Sequence, residues 1–293
     1  MLRFECMNTL VINTLSTLVL FSLSSLVCFQ EPVKPSFATA ARSETLSDSL
    51  LLLRFQPPAG YQRPVADTGS FGFYLRHLPL RPPGSKVRLF DGREKPNDGV
   101  YAAVVDLPIG DKDLHQCADA VIRLRAEYLW QNAQFDRIHF NLTNGFRMDY
   151  RRWRQGERLK VSGNKTDWVP GASRSDSRAT FWAYLETVFS YAGTLSLAKE
   201  LKPVAVSDIR VGDVFILGGS PGHAVLVVDL ALDTTGKKIM LLAQSYMPAQ
   251  EIQILQNPSD PSLSPWYPAD FGEVLVTPEW NFGKEQLKRF DDE

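Results

Sequence analysis

Residues Gly218–Asp229 read GGSPGHAVLVVD, a glycine-rich turn that becomes a hydrophobic strand with His223 at its mouth. Imidazole titrates near neutrality, so a ring in that place is a candidate base, metal ligand or loop-to-strand hydrogen bonder. The segments on either side decide the local fold. DVFILGG precedes the turn, and KKIMLLAQSYM follows the strand after the hairpin signal DTTG. Three antiparallel strands are therefore expected, with Gln244, Ser245 and Tyr246 returning opposite His223. A one-residue slip would swap their faces, so the pattern alone leaves the partner open, and Gln244 is our choice. Asp213 reads as a turn residue. Asp229 shares a face with His223 by parity but lies about 20 Å along the strand, too far for a dyad, and is expected to end it.

The chain has 293 residues, 44% hydrophobic and 22% charged, enough to bury a full core. Its 32 Lys and Arg nearly cancel 33 Asp and Glu, so no global field points to nucleic acid as a partner. At the N-terminus Arg3 precedes the uncharged run LVINTLSTLVLFSLSSLVCF, and SFATAA supplies small residues at Ala38 and Ala40. This reads as a secretory signal over residues 1–40, or as an uncleaved anchor, since about 20 apolar residues span a bilayer. A Ser-, Pro- and Ala-rich linker over 41–58 and a single domain over 59–293 complete the expected organisation. The domain is then exported, periplasmic or membrane-anchored, touching the membrane only through its N-terminal segment. Cys6 and Cys28 fall in the leader, which leaves Cys117 alone in the mature chain and rules out an internal disulfide there.

Within the domain, SFGFYLRHLPL, KVRLF and GVYAAVVDLPIG read as strands, a β-rich opening. In DKDLHQCADAVIRLRAEYLW, apolar residues recur at helical intervals from Leu114 onward, with Asp111 or Asp113 as cap. Cys117 lies near the start of this helix, and that periodicity sets it about a turn inside. RIHFNL, the Asn144-Gly145 turn and a basic, aromatic stretch lead to a second helix, RATFWAYLETVFSYAG. Helices grouped between β segments, without regular alternation, indicate an α+β fold.

A cysteine hydrolase needs a thiol near a helix N-terminus, a histidine to carry the proton and a polar group to orient the ring. Cys117, His223 and Gln244 supply one of each, with the thiol expected to titrate below the ordinary value of about 8.5. Cys117 also lies on the apolar stripe of its helix, where a free cysteine is commonly core. The layout of a helix-borne Cys followed by DIRVGDVFILGGSPGHAVLVVD resembles NlpC-type and CHAP-type papain-like amidohydrolases of the cell wall. That resemblance implies a Cys-bearing helix packed on an antiparallel sheet, with Cys117 as nucleophile, His223 as base, Gln244 as orienting residue, and a peptide or cell-envelope substrate. Ala118-Asp119-Ala120 replaces the usual signature after the nucleophile. CADAVIRLRAEYLW, FSYAGTLSL, GDVFILGGSPGHAVLVVD, LLAQSYMPAQ and SPWY together resemble a bacterial family known as domain of unknown function 4846.

Other candidates are ligand contacts. Arg147, Arg151, Arg152, Arg154 and Arg158, with Tyr150 and Trp153, form a basic cluster able to grip carboxylates or simply to face solvent. Tyr246, Trp266 and Tyr267 are candidates to rim a groove or to cover core. His77, His115 and His139 are isolated, with no metal-ligand spacing, so no metal or cofactor is expected. Asp119, four residues before Arg123, is spaced for a helix ion pair. Two functions remain open: an exported cysteine peptidase or amidase, and a non-catalytic envelope protein that binds an acidic ligand.

Overall fold

The structure, a computed structural model, describes residues 49–291. The expected leader lies outside them. None of the described helices is long and apolar enough to cross a membrane. The expected linker joins the fold earlier than its composition suggested. Leu51 is fully buried in a short helix, α1 (Leu51–Arg54), and its amide donates to Leu78 O at 3.0 Å.

The second helix, α2 (Phe71–Arg76), overturns the strand reading of SFGFYLR. Ser70 caps it, accepting from the Phe73 amide at 3.1 Å, and Phe71 and Leu75 fall on one buried face four residues apart. Spacing by four outweighs the apparent alternation, so the opening is only sparsely β. Its one regular strand is β1 (Tyr101–Val104), while Leu89 makes just an isolated bridge to Gln250. The remaining helices are α3 (Cys117–Gln131), α4 (Tyr150–Arg154), α5 (Arg178–Tyr191) and α6 (Thr194–Glu200).

The central sheet has eight strands. Besides β1 these are β2 (Lys202–Pro203), β3 (Val214–Leu217), β4 (His223–Leu232), β5 (Lys238–Gln244), β6 (Gln253–Leu255), β7 (Tyr267–Pro268) and β8 (Leu287–Arg289). They lie in the order β1-β6-β5-β4-β3-β8-β2, with β7 sharing the outer edge of β5, and every pairing is antiparallel. This bears out the α+β reading. Both faces of the sheet's central strand, β4, are buried. Ala224, Leu226 and Val228 of β4 belong to the core shared with α3 and α5, while Val225 and Val227 join Phe282 and Leu275 on the other side. The second cover is a C-terminal hairpin, residues 274–276 paired with 281–283.

A register shift between Val227 and Asp229 interrupts the β4–β5 ladder, so counting parity along β4 fails past that point. Nor does Asp229 end the strand. It is fully buried in its interior, with Arg63 Nε and Arg76 Nε each 2.7 Å from one of its oxygens. Removing the carboxylate strands two guanidinium groups beside a buried sheet. Asp229→Ala should therefore lower the unfolding free energy by about 3–5 kcal/mol in urea denaturation. A loss below about 1 kcal/mol would show that the triad adds nothing to the fold.

Candidate active site

Three connections bring the candidate residues together. First, the GGSPG turn is clamped onto the start of α6. Thr194 Oγ1 donates to Gly219 O at 3.1 Å, and a Cβ on Gly222 would collide with that hydroxyl and with Gly219 O. Glycine is thus required where the chain enters β4, and His223 follows at once. Second, the DTTG hairpin sets the β4–β5 register so that Leu226 faces Ala243, which leaves Gln244 beside His223. Third, the segment after β5 docks on the approach to α3. Asp113 Oδ1 accepts from the Ala249 amide at 2.7 Å, and Ser245 Oγ donates to His115 O at 2.9 Å.

That docking corrects the start of α3. Asp113 holds the 245–250 segment instead of capping the helix, and Gln116 is the N-cap. Cys117 is then the first helical residue, not a turn inside. The opening amides of a helix have no intrahelical acceptor, and they carry its positive end. Asp119 Oδ2 accepts from the Gln116 amide at 3.0 Å, whereas the expected pair with Arg123 does not form; the ion pair of Arg123 is with Glu127, at 3.5 Å.

His223 is 1% exposed, and its Nε2 lies 2.8 Å from Gln244 Oε1. The ring is enclosed by Tyr246, Trp280 and Phe282, with centroids 5.0, 5.4 and 6.0 Å away. Gln244 Nε2 in turn donates to Glu279 Oε2 at 2.6 Å, and Lys95 Nζ meets the same carboxylate at 2.6 Å. Of Gln244, Ser245 and Tyr246, the three left open by the pattern, it is Gln244 that holds the imidazole. Tyr246 packs on the ring, and Ser245 serves the docking contact.

Cys117 is 9% exposed, and its sulfur is within reach of the amides of Ala118 and Ala224, the latter next to His223. It also interacts electrostatically with Tyr246. Cys117 thus reaches the backbone at the mouth of β4, next to His223 in the chain, and among the described residues no hydrogen bond joins the two side chains. Their protonation departs from expectation. Burial, reinforced by Asp119, pushes the thiol up to about 11 against the pull of the backbone amides. Burial, with a smaller push from Lys95, brings His223 down to about 4 despite the hydrogen bond to Gln244. At neutral pH the two are therefore thiol and imidazole, not a thiolate-imidazolium pair, because desolvation outweighs the helix terminus here.

Of the other candidates, Trp153 and Trp266 are buried in the core, Trp153 donating from Nε1 to Thr180 O at 3.0 Å. Arg152 and Arg151 are exposed, but Arg152 forks onto Glu157, and Arg151 lies 3.8 Å from Asp136. Arg154 and Arg147 pair with Asp176 and Asp149 at 2.6 and 2.7 Å, while Arg158 donates to the carbonyls of Trp153 and Glu157, so every arginine of the basic cluster but Arg158 has an acidic partner. Among the described residues no three His, Cys, Asp or Glu side chains gather to hold a metal. Lys95, Glu279 and Trp280 escaped the pattern reading. Lys95 sits in a turn-rich polar stretch, and Glu279 follows a proline near the C-terminus, where each reads as a solvated charge.

The family model of a domain of unknown function (4846) matches residues 51–289, and the chain belongs to that family. No curated protein and no solved structure matches it.

The buried ionisable groups set a pH profile. His223 and His115, the latter brought down to about 3 by burial and by Arg123, fold neutral yet protonate when unfolded below about 6.5. Their contribution is complete above that pH and is lost as pH falls towards 4. Asp119, raised to about 8 by burial, has the opposite sign: its contribution is complete below the ordinary value of 3.8 and is lost as pH rises towards 8. Two histidines outweigh one carboxyl on the acid side, so thermal stability should peak near about pH 6.5 and decline on both sides. Asp119→Asn should remove the decline between about pH 6.5 and 8. An unchanged alkaline limb in that variant would show that Asp119 ionises freely.

Proposed function

We propose that the chain is an exported cysteine hydrolase of papain-like type, acting on peptide or cell-envelope amide bonds. The observation that carries this reading is the placement of Cys117 as the first residue of α3, against the mouth of β4, where His223 is oriented through Nε2 by Gln244. A helix-borne thiol, an imidazole with a free nitrogen and an amide that fixes the ring are the parts this chemistry requires. The uncharged run at residues 10–29 and the small residues before Ala41 support export.

In this reading His223 is the base through Nδ1. As Cys117 Sγ attacks the amide carbon, its proton passes to Nδ1, so the neutral resting pair becomes charged only as the new C–S bond forms. The amide nitrogen leaves with the proton from His223, and water, deprotonated by the same ring, then releases the acyl group and restores the thiol. The opening amides of α3 point at the sulfur and suit the oxygen that becomes negative during attack. Sγ and Nδ1 share no hydrogen bond in the free protein, and this reading requires them to close on one another when substrate is bound.

Enclosure of both side chains favours a second reading, in which the family keeps this arrangement without catalysis. Iodoacetamide separates the two. At about pH 7.5 it should carbamidomethylate Cys117 in the folded chain, and His223→Ala should slow the reaction by at least about a hundredfold through loss of the base. Mass spectrometry of the same preparation from the native host should find an N-terminus near Ala41. Equal rates in wild type and His223→Ala, or labelling only after unfolding, would leave the non-catalytic reading.

A further inference from the structure

We propose that Glu279 is a positioning residue that sets the tautomer of His223 without touching it. The inference rests on the reading of His223 as a base and adds the group that makes its Nδ1 available.

Side-chain chemistry gives the chain Lys95, Glu279, Gln244, His223 a direction. An ammonium only donates and an ionised carboxylate only accepts. Lys95 Nζ donates to Glu279 Oε2, and the only Gln244 atom able to meet that oxygen at 2.6 Å is its amide nitrogen. The amide is therefore turned so that its oxygen faces the imidazole. A carbonyl oxygen 2.8 Å from Nε2 requires that nitrogen to carry the proton, which leaves the lone pair on Nδ1. Without the carboxylate, Gln244 would present either end to the ring at similar cost, and half of the molecules would hold the proton on the wrong nitrogen.

Burial makes the arrangement selective. The side chains of Lys95 and Glu279 are 5% and 15% exposed, and Tyr246 closes over the pair with its ring 5.5 Å from Lys95 Nζ. Water therefore competes poorly for either end of the Gln244 amide. The two residues come from distant parts of the chain, Lys95 from the loop before β1 and Glu279 from the turn of the C-terminal hairpin. That hairpin also brings Trp280 and Phe282 against the imidazole. The second cover of the sheet thus supplies both the ring's enclosure and the acceptor that orients its partner.

Long-range proton–nitrogen NMR of the folded full chain at about pH 7.5 reads the tautomer directly. In wild type the Nε2–H form should exceed the Nδ1–H form by about tenfold or more, as befits an amide held by a charged acceptor. In Glu279→Leu the ratio should fall to near unity while the fold is retained. Should Glu279→Leu fail to fold, Glu279→Gln carries the test: its amide offers either a donor or an acceptor, so the ratio again drops. An Nδ1–H ring in wild type, or an unchanged ratio in either folded variant, would overturn the assignment. A simple packing role for Glu279 would change stability and leave the ratio alone. The tautomer is read without any reaction at Cys117, so failure here is distinct from failure of the hydrolase reading.

Discussion

A strand buried on both faces gives its polar side chains no water, and β4 carries two of them. His223 and Asp229 must each be satisfied by other side chains, because an unpaired buried polar group costs a large part of the stability of a domain. Asp229 meets two arginines, and His223 meets a glutamine backed by a carboxylate and an ammonium. Both solutions recruit residues far away in sequence. The loop bearing Lys95, the stretch bearing Arg63 and the C-terminal hairpin are held where they are partly by this demand. The covering elements and the candidate site therefore arise from one constraint.

The same burial shapes the chemistry. A helix N-terminus and nearby amides favour a thiolate, while removal from water disfavours it. At Cys117 removal from water wins, and it keeps His223 neutral as well. With a neutral pair, attack by the sulfur on any electrophile depends on transfer of its proton to a base as the new bond forms.

Much of the frame was legible in the residues. Strong periodicity gave the helix of Cys117, the helix over residues 178–191 and the strands around GGSPGH, and the DTTG turn made Gln244 a reasoned choice as partner of His223. What escaped depended on contacts between distant segments. SFGFYLR alternates like a strand, but Ser70 and the pairing of Phe71 with Leu75 make it a helix. Asp113 resembled a cap until the Ala249 amide claimed it. No local pattern marks Lys95 or Glu279, because their meaning lies in a pairing across 184 positions. The thiol departs from its expected titration for a related reason: the residue pattern shows the helix terminus and not the depth at which it is buried.

The central claim is that Cys117 and His223 act on one carbonyl carbon, and a crystal structure of the chain with a small peptide aldehyde tests it most directly. The account predicts a covalent bond from Cys117 Sγ to the aldehyde carbon, with His223 Nδ1 within about 3–4 Å of the sulfur or the new oxygen and Nε2 still on Gln244. An aldehyde bound elsewhere, or a sulfur that stays enclosed and unmodified at saturating aldehyde, would contradict it.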